Sequence, residues 1–287
     1  MTTQAVTDLH LRHPLKQRRY WLPLAIVVFA VQIPFLHHYF RGAREVTQGI
    51  PYQDTFDRAS LGDDWWSAGG AWRIVDGHLY SPGVGHNPLW LKARLPDDAR
   101  ISFDAWNDGS SADIEVEAWG DGRNHGTGYM FMMGIARNTE SRIAKLEERA
   151  PTLDDLRAQL AQRARPFPIR TPGIEGVWES ATQPFDVWSA QHDLDKLAKG
   201  VLLDKDTPIA MRRVGEPRVV RGQHYHFVIS KKAGQIRWDV DGQQLLILND
   251  PAPLGGGEGV FHSGHDRFGF SSWNNDTYFD NLQIEGI

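Results

Sequence analysis

The segment Asp113-Ile-Glu-Val-Glu117 sets three carboxylates at every second position. On a β-strand successive side chains leave opposite faces. Asp113, Glu115 and Glu117 would then share one face, while Ile114 and Val116 enter a core on the other. Carboxylates gathered this way have two uses. A pair placed either side of an anomeric carbon hydrolyses a glycosidic bond, and retention requires a separation of about 5–5.5 Å. Mutual repulsion raises the pKa of one member, as an acid role demands. Alternatively, the row is only the polar face of an amphipathic strand and contacts a ligand or a cation. Positions i and i+4 lie about 13 Å apart along a strand, so Asp113 and Glu117 must lean together to reach one sugar.

Other residues suit binding better than bond cleavage. Trp106 and Trp119 lie in or beside candidate strands, and Trp273 lies in the turn between Ser271 and Thr277. Exposed, each could stack on a sugar ring or anchor a protein partner; buried, each is core. Asp121 and Asn124 belong to a polar loop running from Asp121 to Gly126 that is either a site wall or a plain turn. Gly255 to Gly259 lacks the lysine and following helix of a phosphate-cradling loop.

The elements that must position these residues follow from turn spacing. Strand candidates run over 71–75, 78–80, 89–95, 101–106, 113–119 and 129–133. They resume at 224–230, 235–240, 244–248, 267–271 and 278–285. Asp76-Gly77 and Asp241-Gly242 mark tight hairpins. Strands at this spacing predict an all-β, two-sheet antiparallel sandwich over 52–150 and 217–287. The rhythm breaks over 151–216, which reads as a mainly helical or irregular insertion. Thr152 with Asp155 forms a helix-start pattern, Leu153, Leu156 and Leu160 make one stripe to about residue 164, and a second helix is expected around 193–203.

The N-terminal part reads as an anchor. Residues 1–19 end in the basic residues Arg12, Lys16, Arg18 and Arg19, and form a cytoplasmic tail. Residues 20–40 form a single transmembrane helix, with Tyr20 and Trp21 at one interface, Tyr39 and Phe40 at the other, and Pro34 as a kink. A small-residue cleavage pattern is missing after the apolar run. A linker over 41–51 follows. The positive-inside bias keeps the N-terminus cytoplasmic and exports the sandwich, giving a bacterial inner-membrane protein with a periplasmic head.

Composition narrows the classes further. The 287 residues carry a formal net charge of −5, which argues against a nucleic-acid partner. No cysteine is present, so disulfides, thiol nucleophiles and thiolate metal sites are excluded.

Asp54-Thr-Phe-Asp-Arg58, Leu61-Gly-Asp-Asp-Trp65, Trp72-Arg-Ile-Val-Asp-Gly77, Asp266-Arg-Phe-Gly-Phe270 and Tyr278-Phe-Asp-Asn-Leu282 occur in that order. Together they resemble the concanavalin A-like, laminin-G-like jelly-roll superfamily, especially bacterial members without known function. That resemblance implies the jelly-roll fold and leaves lectins, carbohydrate-binding modules, glycosidases and scaffolds all open. The carboxylate strand is similar to the Glu-x-Asp-x-Glu strand of laminarinase-like retaining glycosidases. By that likeness Asp113 is nucleophile, Glu115 helper and Glu117 acid/base, with the first Glu shortened to Asp. Related sandwiches often hold a structural Ca²⁺ near their first and last strands, here Asp57 and Asp280; Asp280-Asn281 also suits a simple strand-end turn. No other cofactor is expected.

These readings favour a membrane-anchored, non-catalytic binding or scaffold subunit that stabilises a membrane-protein complex. The alternatives are a periplasmic retaining glycosidase and a glycan-binding, lectin-like module. Expected partners are the bilayer and a membrane-protein complex or glycan.

Overall fold

The computed structural model describes residues 21–41, 49–110, 112–146, 151–163, 168–169, 178–179, 183–201, 203, 208–215, 218–256 and 264–287. It divides into two units, Met1–Arg41 and Gly42–Ile287. In the first, α1 (Trp21–Arg41) contains Pro34, and the described side chains from Trp21 to Pro34 are all exposed. Among the described residues no helix is long and apolar enough to cross a membrane. Tyr20 lies outside the described residues.

The second unit runs in order through β1 (Tyr52–Asp54), β2 (Trp65–Trp66), β3 (Arg73–Val75), β4 (His78–Pro82), β5 (Leu89–Leu91), β6 (Ala99–Asn107), β7 (Ile114–Gly120) and β8 (Tyr129–Gly134). The turn α2 (Ile135–Asn138), β9 (Glu140–Lys145), α3 (Leu153–Arg163), β10 (Pro168–Ile169), β11 (Trp178–Glu179) and α4 (Gln183–Ala198) come next. The chain closes with β12 (Ala210–Val214), β13 (Tyr225–Lys232), β14 (Gln235–Val240), β15 (Gln243–Asn249), β16 (Arg267–Ser271) and β17 (Asp276–Gly286). Among the described residues β10 and β11 pair as a small two-stranded sheet, and two large antiparallel sheets form the sandwich. One is ordered β15-β14-β13-β6-β17-β4-β3 with β1 on β17, and the other β12-β9-β8-β7-β16-β5-β2.

Alternation explains why the sheets stack. In β6, Ile101, Phe103 and Ala105 are buried between Arg100, Ser102 and Asp104, which are more exposed. Phe103, Phe227, Phe268, Phe270 and Phe279 meet between the layers, with ring centroids 4.4–6.3 Å apart in their contacting pairs. Burying each aromatic side chain stabilises the fold by about 1.5–3 kcal/mol. Both expected hairpins form, with left-handed φ at Asp76 and Gly77 (51° and 81°) and at Asp241 and Gly242 (50° and 76°).

The insertion is smaller than its spacing suggests. β12 lies inside 151–216 yet pairs with β9, a strand the alternation also missed, so both belong to the sandwich. Their sequences, Glu140-Ser-Arg-Ile-Ala-Lys145 and Ala210-Met-Arg-Arg-Val214, carry too many charges to read as strand from pattern alone. The expected start of α3 forms as a reciprocal cap, with the Thr152 amide donating to Asp155 at 2.7 Å and the Asp155 amide to Thr152 Oγ1 at 3.2 Å. Of its leucine stripe only Leu156 is fully buried; Leu153 is exposed. The second helix, α4, begins ten residues before the expected one, and α3 and α4 lie against β12.

Candidate functional site

Ile114, Val116 and Ala118 of β7 enter the main core, which turns Asp113, Glu115 and Glu117 to the opposite face of that sheet. The expectation of an exposed polar face is corrected here: these three are 7%, 4% and 0% exposed. The register explains it. Ser271, Glu115, Met132, Arg142 and Arg213 form one cross-strand row, and Gly269, Glu117, Met130, Ala144 and Met211 form the next. Met130, Met132, Ala144 and Met211 make a second apolar cluster there, and Trp90 covers Gly269. A Cβ on Gly269 would lie 2.7 Å from the Trp90 ring, so that close cover depends on glycine.

Glu117 does not face open space. Its carboxylate accepts the Gly126 amide at 3.0 Å and the Thr127 amide at 2.7 Å, and Thr127 Oγ1 lies 3.2 Å away. It organises the loop between β7 and β8. Burial pushes its carboxyl up to about 7, although those donors pull the other way. His125 Nδ1 lies 3.6 Å from Glu117, but burial and the neighbouring His86 hold the imidazole down to about 4. This contact is therefore no ion pair at neutral pH.

Asp113 and Glu115 do reach open space. They line a cavity of about 770 Å³ together with Met132, Arg142, His86 and Trp273. Glu115 hydrogen-bonds Asp113, and burial, reinforced by the Asp113 charge and opposed by Arg142, raises its carboxyl to about 8. Glu115 Oε2 and Arg142 Nε are buried without a hydrogen-bond partner. Glu140, the cavity's other carboxylate, lies 3.8 Å from Arg142 and 3.3 Å from Arg213.

Loops complete the cavity. Gly85 donates to the Trp273 carbonyl at 2.9 Å, tying the β4–β5 connection to the β16–β17 turn. The Trp273 and His86 rings lie 4.1 Å apart, and His86 stacks on His125 at 4.2 Å. Three rings thus run from the half-exposed Trp273 toward buried Glu117. On another side stands α2, where Ala136, Arg137 and Asn138 all take left-handed φ (52°, 62° and 60°). Such runs are costly for non-glycine residues and persist only under outside restraint. Asn138 supplies it, donating to the Val219 carbonyl and accepting the Val219 amide, both at 2.8 Å.

The remaining expected site residues are dispersed. Trp119 is a correction: it is fully buried, its indole donates to the Pro96 carbonyl, and it contacts no open surface. Strict alternation would put it beside Glu117, but the ladder slips between Arg267 and Phe268 and Trp119 takes φ 53°, turning it into the core next to Ala118. Trp106 sits in the other sheet, 8% exposed, stacked between His224 at 4.0 Å and Tyr278 at 5.1 Å. Asp121 accepts the Arg123 and Asn124 amides and the Asn124 side chain, so both expected loop residues fix their own turn. Asp57 is exposed, and Asp280 lies 3.0 Å from His78 Nδ1. Among the described residues no group of three His, Asp or Glu side chains is placed to hold a metal. The buried carboxylate of that region is Asp54, which accepts Arg58 at 2.5 and 2.8 Å and Trp65 Nε1 at 2.9 Å. His86, Glu140, Arg142 and the α2 turn carry no sequence signal of a site.

No protein-family model and no curated protein matches the chain. Solved structures do. They include a carbohydrate-binding module, CBM66, from Bacillus subtilis, at 9% identity over 83% of this chain and 99% of that one, TM-score 0.46. A galectin-like protein of unknown function from Bacillus subtilis is 14% identical over 82% and 94%, TM-score 0.42. A putative glycosyl hydrolase from Parabacteroides distasonis is 12% identical over 85% and 91%, TM-score 0.38. At TM-scores below 0.5 these likenesses assign nothing to the cavity, whose chemistry rests on its own geometry.

Proposed function

We propose that the sandwich is a glycan-binding module that holds a sugar in the Asp113–Glu115–Trp273 cavity and does not cleave it. One observation carries this reading: a half-exposed tryptophan, Trp273, lines the same cavity as the buried hydrogen-bonding groups of Asp113, Glu115 and Arg142. Sugars present an apolar C–H face and a rim of hydroxyls, and binding sites for small ligands combine apolar walls with a few placed polar groups. The geometry speaks against hydrolysis. Glu117, the acid/base by resemblance, is committed to Gly126 and Thr127. Asp113 and Glu115 are hydrogen-bonded to each other, closer than the about 5–5.5 Å or 6.5–9.5 Å that glycosidase pairs use.

Membrane attachment belongs to the same proposal. Leu22, Ile26, Val27 and Phe29 of α1 are exposed on a helix preceded by four basic residues, and a lipid environment would cover them. The basic flank then puts the sandwich on the periplasmic side of a bacterial inner membrane. A scaffold role in a membrane-protein complex, the first expectation from the sequence, has no support among the described residues.

The test is a glycan array probed with the detergent-solubilised full chain beside Trp273→Ala. A defined set of glycans retained by the first and lost by the second supports the reading. Sugar release from any of them, lost in Glu117→Gln, would replace it with hydrolysis. Alkaline extraction of membranes tests the anchor, which predicts that the chain stays in the pellet.

A further inference from the structure

The cavity floor has a polarity that selects among sugars. Glu115 and Arg142 occupy the same cross-strand row with Met132 between them, two strand spacings or about 10 Å apart at the backbone. Each keeps a buried polar atom without a partner, Glu115 Oε2 and Arg142 Nε, and both residues line the cavity. An unsatisfied buried group costs about 1–3 kcal/mol, so two at the floor of one cavity mark where a ligand's polar atoms belong. Met132 gives an apolar patch between them, and Trp273 an aromatic face at the lip.

We infer that Glu115 Oε2 accepts a hydrogen bond from one hydroxyl, and Arg142 Nε donates one to another, of a single uncharged glycosyl ring held over Met132, and that this pair sets the specificity of the site. The inference rests on the glycan-binding reading above and narrows it. Every neighbour of the row is consistent with an uncharged ligand. Asp113 precedes β7 and bonds Glu115, while Glu140 on β9 is shared by Arg142 and by Arg213 of β12. Arg137 of α2 lines the rim. From the loops, His86 stacks between Trp273 and His125, and Glu117 is held by Gly126 and Thr127. The cavity sets Asp113 and Glu140 against Arg142 and Arg137, so neither an acidic nor an amino sugar meets a net opposite charge there. The proton of Glu115 is engaged with Asp113, so Oε2 is left to accept, and the Arg142 guanidinium supplies the donor.

The test uses the full chain in detergent with methyl β-D-glucoside, methyl β-D-galactoside, methyl α-D-mannoside and methyl β-D-glucuronide as probes. Dissociation constants are measured at pH 6.5. At least one neutral glycoside is expected to bind the wild type, and to bind about tenfold more weakly to Arg142→Met, which keeps an apolar side chain and loses the donor. The glucuronide is expected to bind no better than the glucoside. Glu115→Gln, which keeps an acceptor oxygen and offers an N–H to Asp113, should bind like the wild type, and Glu115→Leu about tenfold more weakly. Undiminished binding by folded Arg142→Met or Glu115→Leu, tighter binding of the glucuronide, or loss of binding in a folded Glu115→Gln protein would overturn the inference while leaving a sugar site in place. Silence of all four probes, with a silent glycan array, would remove the glycan-binding reading as well.

Discussion

Glu117 is held by Thr127 through the loop's own backbone: the Thr127 amide donates to Oε1 at 2.7 Å, and the hydroxyl oxygen of the same residue lies 3.2 Å from that atom. The carboxylate that resemblance would make a proton donor is thus the peg on which the β7–β8 connection hangs. A strand residue with 0% exposure and two amide donors is a structural acceptor first.

Glu117→Gln should therefore cost stability and spare binding. One face of the new amide would present N–H to an amide donor, leaving a buried clash or an unmet donor worth about 1–3 kcal/mol. Thermal unfolding and sugar affinity, measured on one preparation, check this. Unchanged melting with lost sugar turnover would return Glu117 to a catalytic role.

Three shifted groups should make stability fall as pH rises from about 4.5 to 8. The folded His125 imidazole sits at about 4, below its ordinary 6.5. Its contribution is full above pH 6.5 and is lost as pH drops through 4. Glu115 and Glu117 are raised from 4.5 to about 8 and about 7, so their contribution is full below pH 4.5 and disappears as pH climbs through 7–8. Between pH 4.5 and 6.5 the two glutamates together lose about twice what His125 gains, so melting temperatures across pH 4–9 should be highest near pH 4–4.5 and fall up to about pH 8. His125→Gln should steepen the fall between pH 4.5 and 6.5, and Glu115→Gln should make it shallower up to pH 8; a profile untouched by both would refute the assignment.

The two tryptophans should behave oppositely. Trp273→Ala removes a side chain that is 50% exposed at the cavity lip. It should weaken sugar binding about tenfold, roughly the worth of one aromatic stacking contact, with little change in melting. Trp119→Ala empties a core position and should cost about 3–5 kcal/mol. Denaturant titration of both separates them. A stable Trp119→Ala protein without sugar affinity would contradict the buried placement.

Asn138→Ala should loosen the cavity wall. The change removes both hydrogen bonds to Val219 and puts a less tolerant side chain at φ 60°. A loss of about 2 kcal/mol is expected, with weaker binding. Asn138→Gly, which relieves the backbone while still losing the clamp, should fall between wild type and alanine. If alanine melts like wild type, α2 is not held by this clamp.

Local chemistry by itself determined a good part of the fold. Asp76-Gly77 and Asp241-Gly242 form hairpins because these residues tolerate left-handed φ, and Thr152 with Asp155 caps a helix because their side chains reach the free amides. The two-residue period of β7 was enough to put Asp113, Glu115 and Glu117 on one face. Tertiary structure decided what that face is for. Whether it meets water depends on Met130, Met132 and Trp90, brought by other strands, and the exclusion of Glu117 depends on a loop folding back. One slipped residue in the β7–β16 ladder sent Trp119 into the core, and pairing with β9 drew the charged strand β12 out of the apparent insertion. His86 and Trp273 meet across nearly the whole length of the sandwich sequence. Period and turn chemistry act over a few residues, whereas burial, register and the gathering of loops depend on partners distant in the chain, which no local pattern encodes.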